Sequence, residues 1–306
     1  MTVEWNEVNA YTRTKFIPKL VDNIFNKSVL LNRAKNKWYN SYDGGRVIEQ
    51  PLEYAQTSAA GWYSGLDTLS VTGNDIAVNS EWQWKTGYAS VVIPGTEERK
   101  NKGTEGVIDY VKSKMKSAEK TLQDYLGTGL FNIGTDAKAI GGLRFIINTS
   151  STVGGISQTS YSFWQAQLDS TTTTLSLAAL NTLFQQCSDD GDTPTMIVTT
   201  QTIWSIYWSL LQPQQRFTDA ESAKAGFNNL MFNGVPCFWD SHCTSANLFI
   251  LNEAYLNLFY HPDANFSFTG FDKPVNQDAK IGQVLWQGNL CSSNNRRLGR
   301  FSAITA

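Results

Sequence analysis

Only two histidines, His242 and His261, and four cysteines occur among the 306 residues. Cys187, Cys237, Cys243 and Cys291 stand too far apart for any Cys-x-x-Cys pair, so neither a zinc site nor a thiol-redox motif is expected. The cysteines read as reduced thiols, which implies assembly in a cytoplasm. Charge is scarce as well: 17% of residues are Asp, Glu, Lys or Arg, with 25 basic against 27 acidic residues. That balance excludes an overall basic nucleic-acid binder. The most apolar stretch, Met196 to Leu211, is interrupted by Thr199, Thr200, Gln201 and Thr202 and is too short to cross a membrane. Met1 to Ala10 lacks the basic start and apolar core of a secretion signal, so no export is expected. Phosphate-binding and dinucleotide-binding glycine motifs are absent too, and so are internal repeats and low-complexity linkers. The chain reads as one interlocked subunit.

What is abundant is aromatic and uncharged polar surface. Apolar residues make up 41% and aromatics 12%, with ten Trp. A chain of this size buries roughly 75% of its unfolded surface, so it needs no covalent staples. Broad aromatics among Ser, Thr, Asn and Gln suit protein–protein burial or glycan contact. Charge is also unevenly placed. Thr12 to Lys37 carries seven basic residues against Asp22, and Phe145 to Asp272 carries ten acids against Arg216 and Lys224. From Lys273 onward, five basic residues face Asp278 alone. Basic ends and an acidic middle would let the arms of one copy lie on the body of another.

Thr12 to Lys37 reads as helix, with Pro18 in a first turn or separating two pieces. Its apolar positions Phe16, Leu20, Ile24, Phe25, Leu30 and Leu31 fit either a helix packed on its own core or an arm docked on another subunit. Tyr42 to Lys100 loses helical periodicity and is punctuated by glycines, which predicts a long projecting hairpin. Val47, Ile48 and Leu52 mark one strand of it, broken by Pro51. A lone strand pair is unstable in water, so Trp62, Trp82 and Trp84 are expected to need a partner surface. Thr104 to Leu126 is the clearest helix, its apolar residues recurring at steps of three and four from Val107 to Tyr125. Gly127 and Gly129 are expected to end it, and at ~1.5 Å per residue it spans roughly 35 Å.

Beyond it, Leu143 to Leu168 looks like an uncharged connector. An α/β alternation follows. Ser176 caps a helix through Cys187, Thr195 to Val198 is a buried strand, and Thr202 to Leu211 is a helix. Asn233-Gly234 predicts a two-residue hairpin between Leu230–Phe232 and Val235–Trp239. Leu248 to Leu251 is a strand, Glu253 to Tyr260 a helix stopped by Pro262, and Ala279 to Thr305 strand-like.

The search for catalysis returns little. Asp240, Ser241 and His242 have the residue types of a hydrolase triad, but consecutive residues cannot align them, and no Gly-x-Ser-x-Gly elbow exists. Asp189, Asp190 and Asp192 around Gly191 read as a solvated turn and not a calcium loop. No enzyme activity, cofactor or metal is expected. Arg296 and Arg297, with Arg300, form a basic cluster suited to surface salt pairing, to contact between subunits or to nucleic-acid contact. The inter-subunit residues expected are therefore Trp62, Trp82, Trp84, Arg13, Lys15, Lys19, Arg296 and Arg297.

The order of arm, long hairpin, long helix, α/β body and closing strands resembles the major capsid proteins of tailed bacteriophages, the Hong Kong 97-like fold family. The most specific stretches are IWSIYWSL from Ile203, FNGVPCFWDSHC from Phe232, LFILNEAYLNLFYHP from Leu248 and GNLCSSNNRRLGRFSAITA from Gly288. The resemblance implies an α+β fold with an N-arm over 1–40 and an extended β-hairpin loop over 41–100. A peripheral domain with a spine helix would occupy 101–144, a mainly axial domain 145–262, and return strands of the peripheral domain 263–306. It also implies hexamers and pentamers in an icosahedral shell around double-stranded DNA, held without sequence reading, in a virion assembled in the bacterial cytoplasm. No membrane partner is expected. A portal, a separate scaffolding protein and possibly a decoration protein are the further partners. Because the arm begins close to Met1, a built-in scaffold region is not expected. Some relatives crosslink through a loop Lys; here Lys85 is the only Lys between Arg46 and Arg99 and none lies in the tip, so crosslinking is not expected. The rival readings are an encapsulin-like nanocompartment shell, which encloses protein, and a glycan-binding or glycan-cleaving protein. The latter requires secretion and two convergent carboxylates.

Overall fold

The computed structural model describes residues 28–100, 110–189, 191–211 and 230–305. The elements run α1 (Val29–Lys37), β1 (Tyr39–Ser41), β2 (Ile48–Glu53), β3 (Ala77–Trp82), β4 (Lys85–Pro94), α2 (Gly95–Lys100) and α3 (Tyr110–Leu130). After these come α4 (Leu143–Ile146), β5 (Thr152–Val153), β6 (Ile156–Ser157), β7 (Gln167–Asp169), α5 (Leu177–Cys187), β8 (Met196–Thr199) and α6 (Gln201–Leu211). The last are β9 (Leu230–Phe232), β10 (Val235–Trp239), β11 (Leu248–Leu251), β12 (Leu256–Phe268), β13 (Ala279–Ser292) and β14 (Gly299–Phe301).

Two sheets organise these elements. A four-stranded sheet runs β1-β12-β13-β4, and a six-stranded sheet runs β7-β14-β11-β8-β10-β9. In β8 and β11 every residue is buried, as a strand covered on both faces requires. Ile197, Leu248 and Ile250 point to a core shared with Leu180 and Leu183 of α5 and Ile203 and Tyr207 of α6. Met196, Val198, Phe249 and Leu251 face a second core that joins α1, β2, β3, α3 and the four-stranded sheet. The second core ties the hairpin base to both sheets.

Several local expectations hold. Ser176 accepts a hydrogen bond from the Ala179 amide as the cap of α5. Asn233 and Gly234 both take positive φ, 48° and 78°, in the tight turn between β9 and β10.

Three do not. Pro51 leaves β2 unbroken: it pairs opposite Asn79 in a two-stranded sheet, where one strand edge needs no N–H donor. Glu253 to Tyr260 is not a helix. A single 3₁₀ turn, Glu253–Tyr255, capped by Asn252, leads straight into β12. Leu256 and Leu258 are buried at a spacing of two and pair with Ser292 and Leu290, so the sheet overrides the helical pattern. Pro262 falls where the β12–β13 register shifts, between Tyr260 and Asn265.

Nor do Gly127 and Gly129 end the long helix, which continues to Leu130. They are sites of close approach. A Cβ on Gly127 would lie 3.1 Å from Ser28 Cβ and 3.4 Å from His242 Cε1, and one on Gly129 would lie 3.2 Å from Ile140 Cδ1. The expected start of that helix, Thr104 to Asp109, lies outside the described residues.

The contacts at Gly127 form a buried joint. Asp240 accepts from Ser28 Oγ at 2.8 Å, from the Leu30 amide at 3.0 Å and from the His242 amide at 2.9 Å. Its carboxylate therefore caps α1 and meets the positive end of that helix. His242 presents Nδ1 to Asp240 at 3.0 Å and Nε2 to Asp124 of α3 at 2.8 Å. Three segments remote in sequence meet there. Asp240→Ala is expected to destabilise the subunit by roughly 3–5 kcal/mol in denaturant unfolding, because the donors it satisfies stay buried.

A second joint fixes the other end of α1. Glu253 accepts two bonds from Arg33, at 2.6 and 2.9 Å, one from Lys37 at 3.0 Å and one from Thr195 Oγ1 at 3.1 Å. Burial pushes the Glu253 pKa up, but the hydrogen bonds and charges of Arg33 and Lys37 outweigh it, and the net value lies below the ordinary 4.5. A carboxylate depressed in the folded state contributes stability above its unfolded pKa and loses it as pH falls through the lower folded value. Wild type should therefore lose more melting temperature than Glu253→Gln between about pH 6 and about pH 3. Parallel curves for the two proteins would contradict this assignment.

Candidate assembly surfaces

The hairpin base is well supported and its tip is not. β2 and β3 pair from Ile48↔Trp82 to Glu53↔Ala77. Beyond them the Tyr54 amide reaches Ile76 O, and Asn74 bridges the two sides through the Ser58 amide and Gln56 O, at 2.8 and 3.1 Å. Between these ties the side chains stand in solvent. Trp62 and Leu66 are each 103% exposed and Val71 92%, with Tyr63 and Leu69 also exposed. Large exposed apolar side chains gathered on one loop make it a candidate interaction surface.

Of the three indoles expected at that surface, Trp62 is the one found there. Trp82 is 3% exposed inside the subunit's own core, its Nε1 donating to Ser80 Oγ at 3.1 Å. Trp84 is half-buried, donates to Gly45 O at 2.9 Å and meets Tyr42 and His261 edge-on at 6.0 and 5.7 Å. The correction has a topological cause. Trp82 ends β3 and Trp84 precedes β4, so both lie where the chain leaves the hairpin and enters the four-stranded sheet. The body of the subunit covers Trp82 fully there and Trp84 in part.

The basic residues divide similarly. Arg13, Lys15 and Lys19 lie outside the described residues. Arg296 is exposed. Arg297 is engaged within its own subunit, ion-paired with Asp189 and 4.0 Å from Asp192. Asp189 and Asp192 also bridge each other across Gly191, which is the turn expected there.

Sequence reasoning missed two exposed tyrosines, Tyr88 on β4 and Tyr125 on α3. Both border a groove of about 510 Å³ floored by Gly87, Ala118 and Leu122. Tyr88 is legible in hindsight: in β4 the burial alternates along Tyr88 to Ile93, leaving it on the outer face. A second groove, about 520 Å³, lies beside the hairpin base. Tyr54 stacks on Phe163 there at 4.9 Å, and Asp75 and Glu81 supply its charge.

The Asp240–Ser241–His242 stretch does not form a nucleophile relay. Ser241 Oγ meets His242 Nδ1 at 3.4 Å, the same nitrogen that faces Asp240, while Nε2 is committed to Asp124. A triad needs serine and carboxylate on opposite ring nitrogens. The four cysteines are buried and unpaired. Burial pushes the thiols of Cys187 and Cys237 up to about 12, so they stay protonated and unreactive. Among the described residues no three His, Cys, Asp or Glu side chains converge on a metal position, and no helix is long and apolar enough to cross a membrane.

The combination of a loop with an exposed apolar tip, a long helix and two sheets sharing one core is that of the Hong Kong 97-like fold. Residues 67–305 match the model of the SU10 major capsid protein family, and the chain belongs to that family. It is the major capsid protein of a tailed-phage shell, a component of the virion built from many copies of itself. The fold is similar to that of the cyanophage A-1(L) capsid subunit, with a TM-score of 0.68 at 15% identity over 94% of this chain and 96% of that one. It is also similar to the capsid subunit of a native GTA particle, with a TM-score of 0.65 at 10% identity over 95% and 96% of the two chains. The SrpI encapsulin of Synechococcus elongatus PCC 7942 shares the fold more distantly, at TM-score 0.57 and 8% identity over 95% and 94%. No curated protein sequence matches the chain.

Proposed function

We propose that the subunit closes into hexamers and pentamers of an icosahedral shell around double-stranded DNA, with the tip at residues 54–76 as its principal contact on a neighbour. The carrying observation is that Trp62 and Leu66 have no cover among the described residues. A shell contact of standard size removes roughly 1,200–2,000 Å² from water, and a large apolar tip is the kind of anchor such contacts use. In this reading residues 1–40 are the N-arm, with Arg13, Lys15 and Lys19 placed on the acidic body of a neighbour, and 41–100 the extended loop. Residues 101–144 and 263–306 form the peripheral domain around α3, and 145–262 the axial domain.

The role is mechanical and not catalytic. DNA is held by enclosure, without sequence-specific contacts. A portal, with any separate scaffolding protein and any decoration protein, completes assembly in the host cytoplasm. Loop crosslinking is absent from this scheme, since Lys85 Nζ already donates to the Ala137 carbonyl within its own subunit. The test is electron microscopy of purified particles with extraction of their contents. Icosahedral particles yielding nuclease-protected duplex DNA are expected. Particles containing a single co-purifying protein would instead favour the nanocompartment reading, and a monomer that binds glycans would sink both.

A further inference from the structure

Among the described arginines Arg144, Arg296 and Arg300 meet no carboxylate, and Arg300 lies deep in the fold. Arg33, Arg46, Arg99 and Arg297 each meet a carboxylate. Arg296 is exposed, and water can solvate it. Arg300 is 7% exposed and meets none; the charged group beside it is a second arginine, Arg144. Arg300 Nη1 donates to the Arg144 carbonyl at 3.0 Å, and Nε of both guanidinium groups is buried without an acceptor. In β14, Arg300 lies in register between Phe249 and Leu168, so its immediate flanks are apolar. Burial first, and the positive charge of Arg144 second, pull its pKa down to about 10.

A buried cation beside a second cation is costly unless an anion joins them. We infer that Arg144 and Arg300 form a binding site for a phosphate dianion. The charge matches: two guanidinium groups carry +2, a phosphomonoester carries about −1.5 to −2 near neutral pH, and inorganic phosphate reaches the dianion on the alkaline side of neutrality. A carboxylate or a single backbone phosphodiester would leave one cation uncompensated. Donors are available as well, because planar guanidinium forks pair oxyanions through parallel N–H bonds, and each fork here has an uncommitted Nε. Arg144 is only partly buried, which leaves a way in from solvent.

The test compares inorganic phosphate with chloride at matched ionic strength on the full-length wild-type chain. Phosphate should raise its melting temperature in a saturable manner. Arg144→Met should raise the half-saturating phosphate concentration about tenfold or more, since one of the two forks is gone. Arg144→Met removes the less buried partner and keeps the backbone carbonyl that Arg300 uses, so it remains informative if Arg300→Met fails to fold. Equal shifts in wild type and variant would show adventitious ion binding and overturn the site, as would no shift in wild type. A short DNA duplex without terminal phosphates forms the second arm. If the duplex, and not phosphate, gives the Arg144-dependent shift, the ligand is a backbone diester and the dianion assignment is wrong.

Discussion

Trp62→Ala combined with Leu66→Ala is expected to leave a folded, soluble subunit that no longer forms shells. Both side chains are fully exposed among the described residues, so the folded state has little to lose; the change in unfolding free energy should stay within about 0.5 kcal/mol. Assembly should suffer far more. An aromatic anchor removed from the centre of an interface typically costs about 2 kcal/mol or more, which is roughly thirtyfold in the equilibrium constant of one contact. The loss recurs at every subunit of a closed ring. Sedimentation velocity would read the outcome as a slow species replacing particles, with circular dichroism unchanged. If normal particles form from the double variant, the tip is not the contact.

Trp82→Ala should behave in the opposite way. Its indole fills the core beneath the hairpin base, where Gly154 approaches so closely that a Cβ there would lie 3.1 Å from Trp82 Cε2. Emptying such a site costs roughly 3–5 kcal/mol, a large part of the stability of an ordinary domain. Poor solubility and a lowered unfolding midpoint are expected before assembly is attempted. Two tryptophans 20 residues apart in sequence therefore separate the two ways of losing a shell, through the contact or through the subunit. A Trp82→Ala protein as stable as wild type would show that its burial contributes little.

Much of the body was legible from the sequence because its signals are local. The Asn233-Gly234 turn, the Ser176 cap and the apolar runs of β8 and β11 each depend on a few adjacent residues, and each appears where expected. The errors came where distant segments decide. A glycine pair after a helical stretch reads as a stop, yet Gly127 and Gly129 lie within the helix because Ser28, His242 and Ile140 press against it. Leu256, Phe259 and Tyr260 fit a helical face equally well on paper; pairing with β13 selects the strand.

The assembly surface was legible in part for the same reason. An indole exposed on a loop and an indole covered by a second sheet look alike in sequence. Trp82 and Trp84 were separated from Trp62 only by the strand pairings around them. The acid-bridged His242 was equally hidden, since Asp124 lies far from it along the chain and nothing local announces the contact.

The most direct measurement is a cryo-electron microscopy map of the assembled shell at side-chain resolution, read at residues 61–73. The tip should lie against an adjacent subunit with the Trp62 ring withdrawn from solvent. A tip that still projects freely in the finished shell would contradict the claim that an identical neighbour completes this chain.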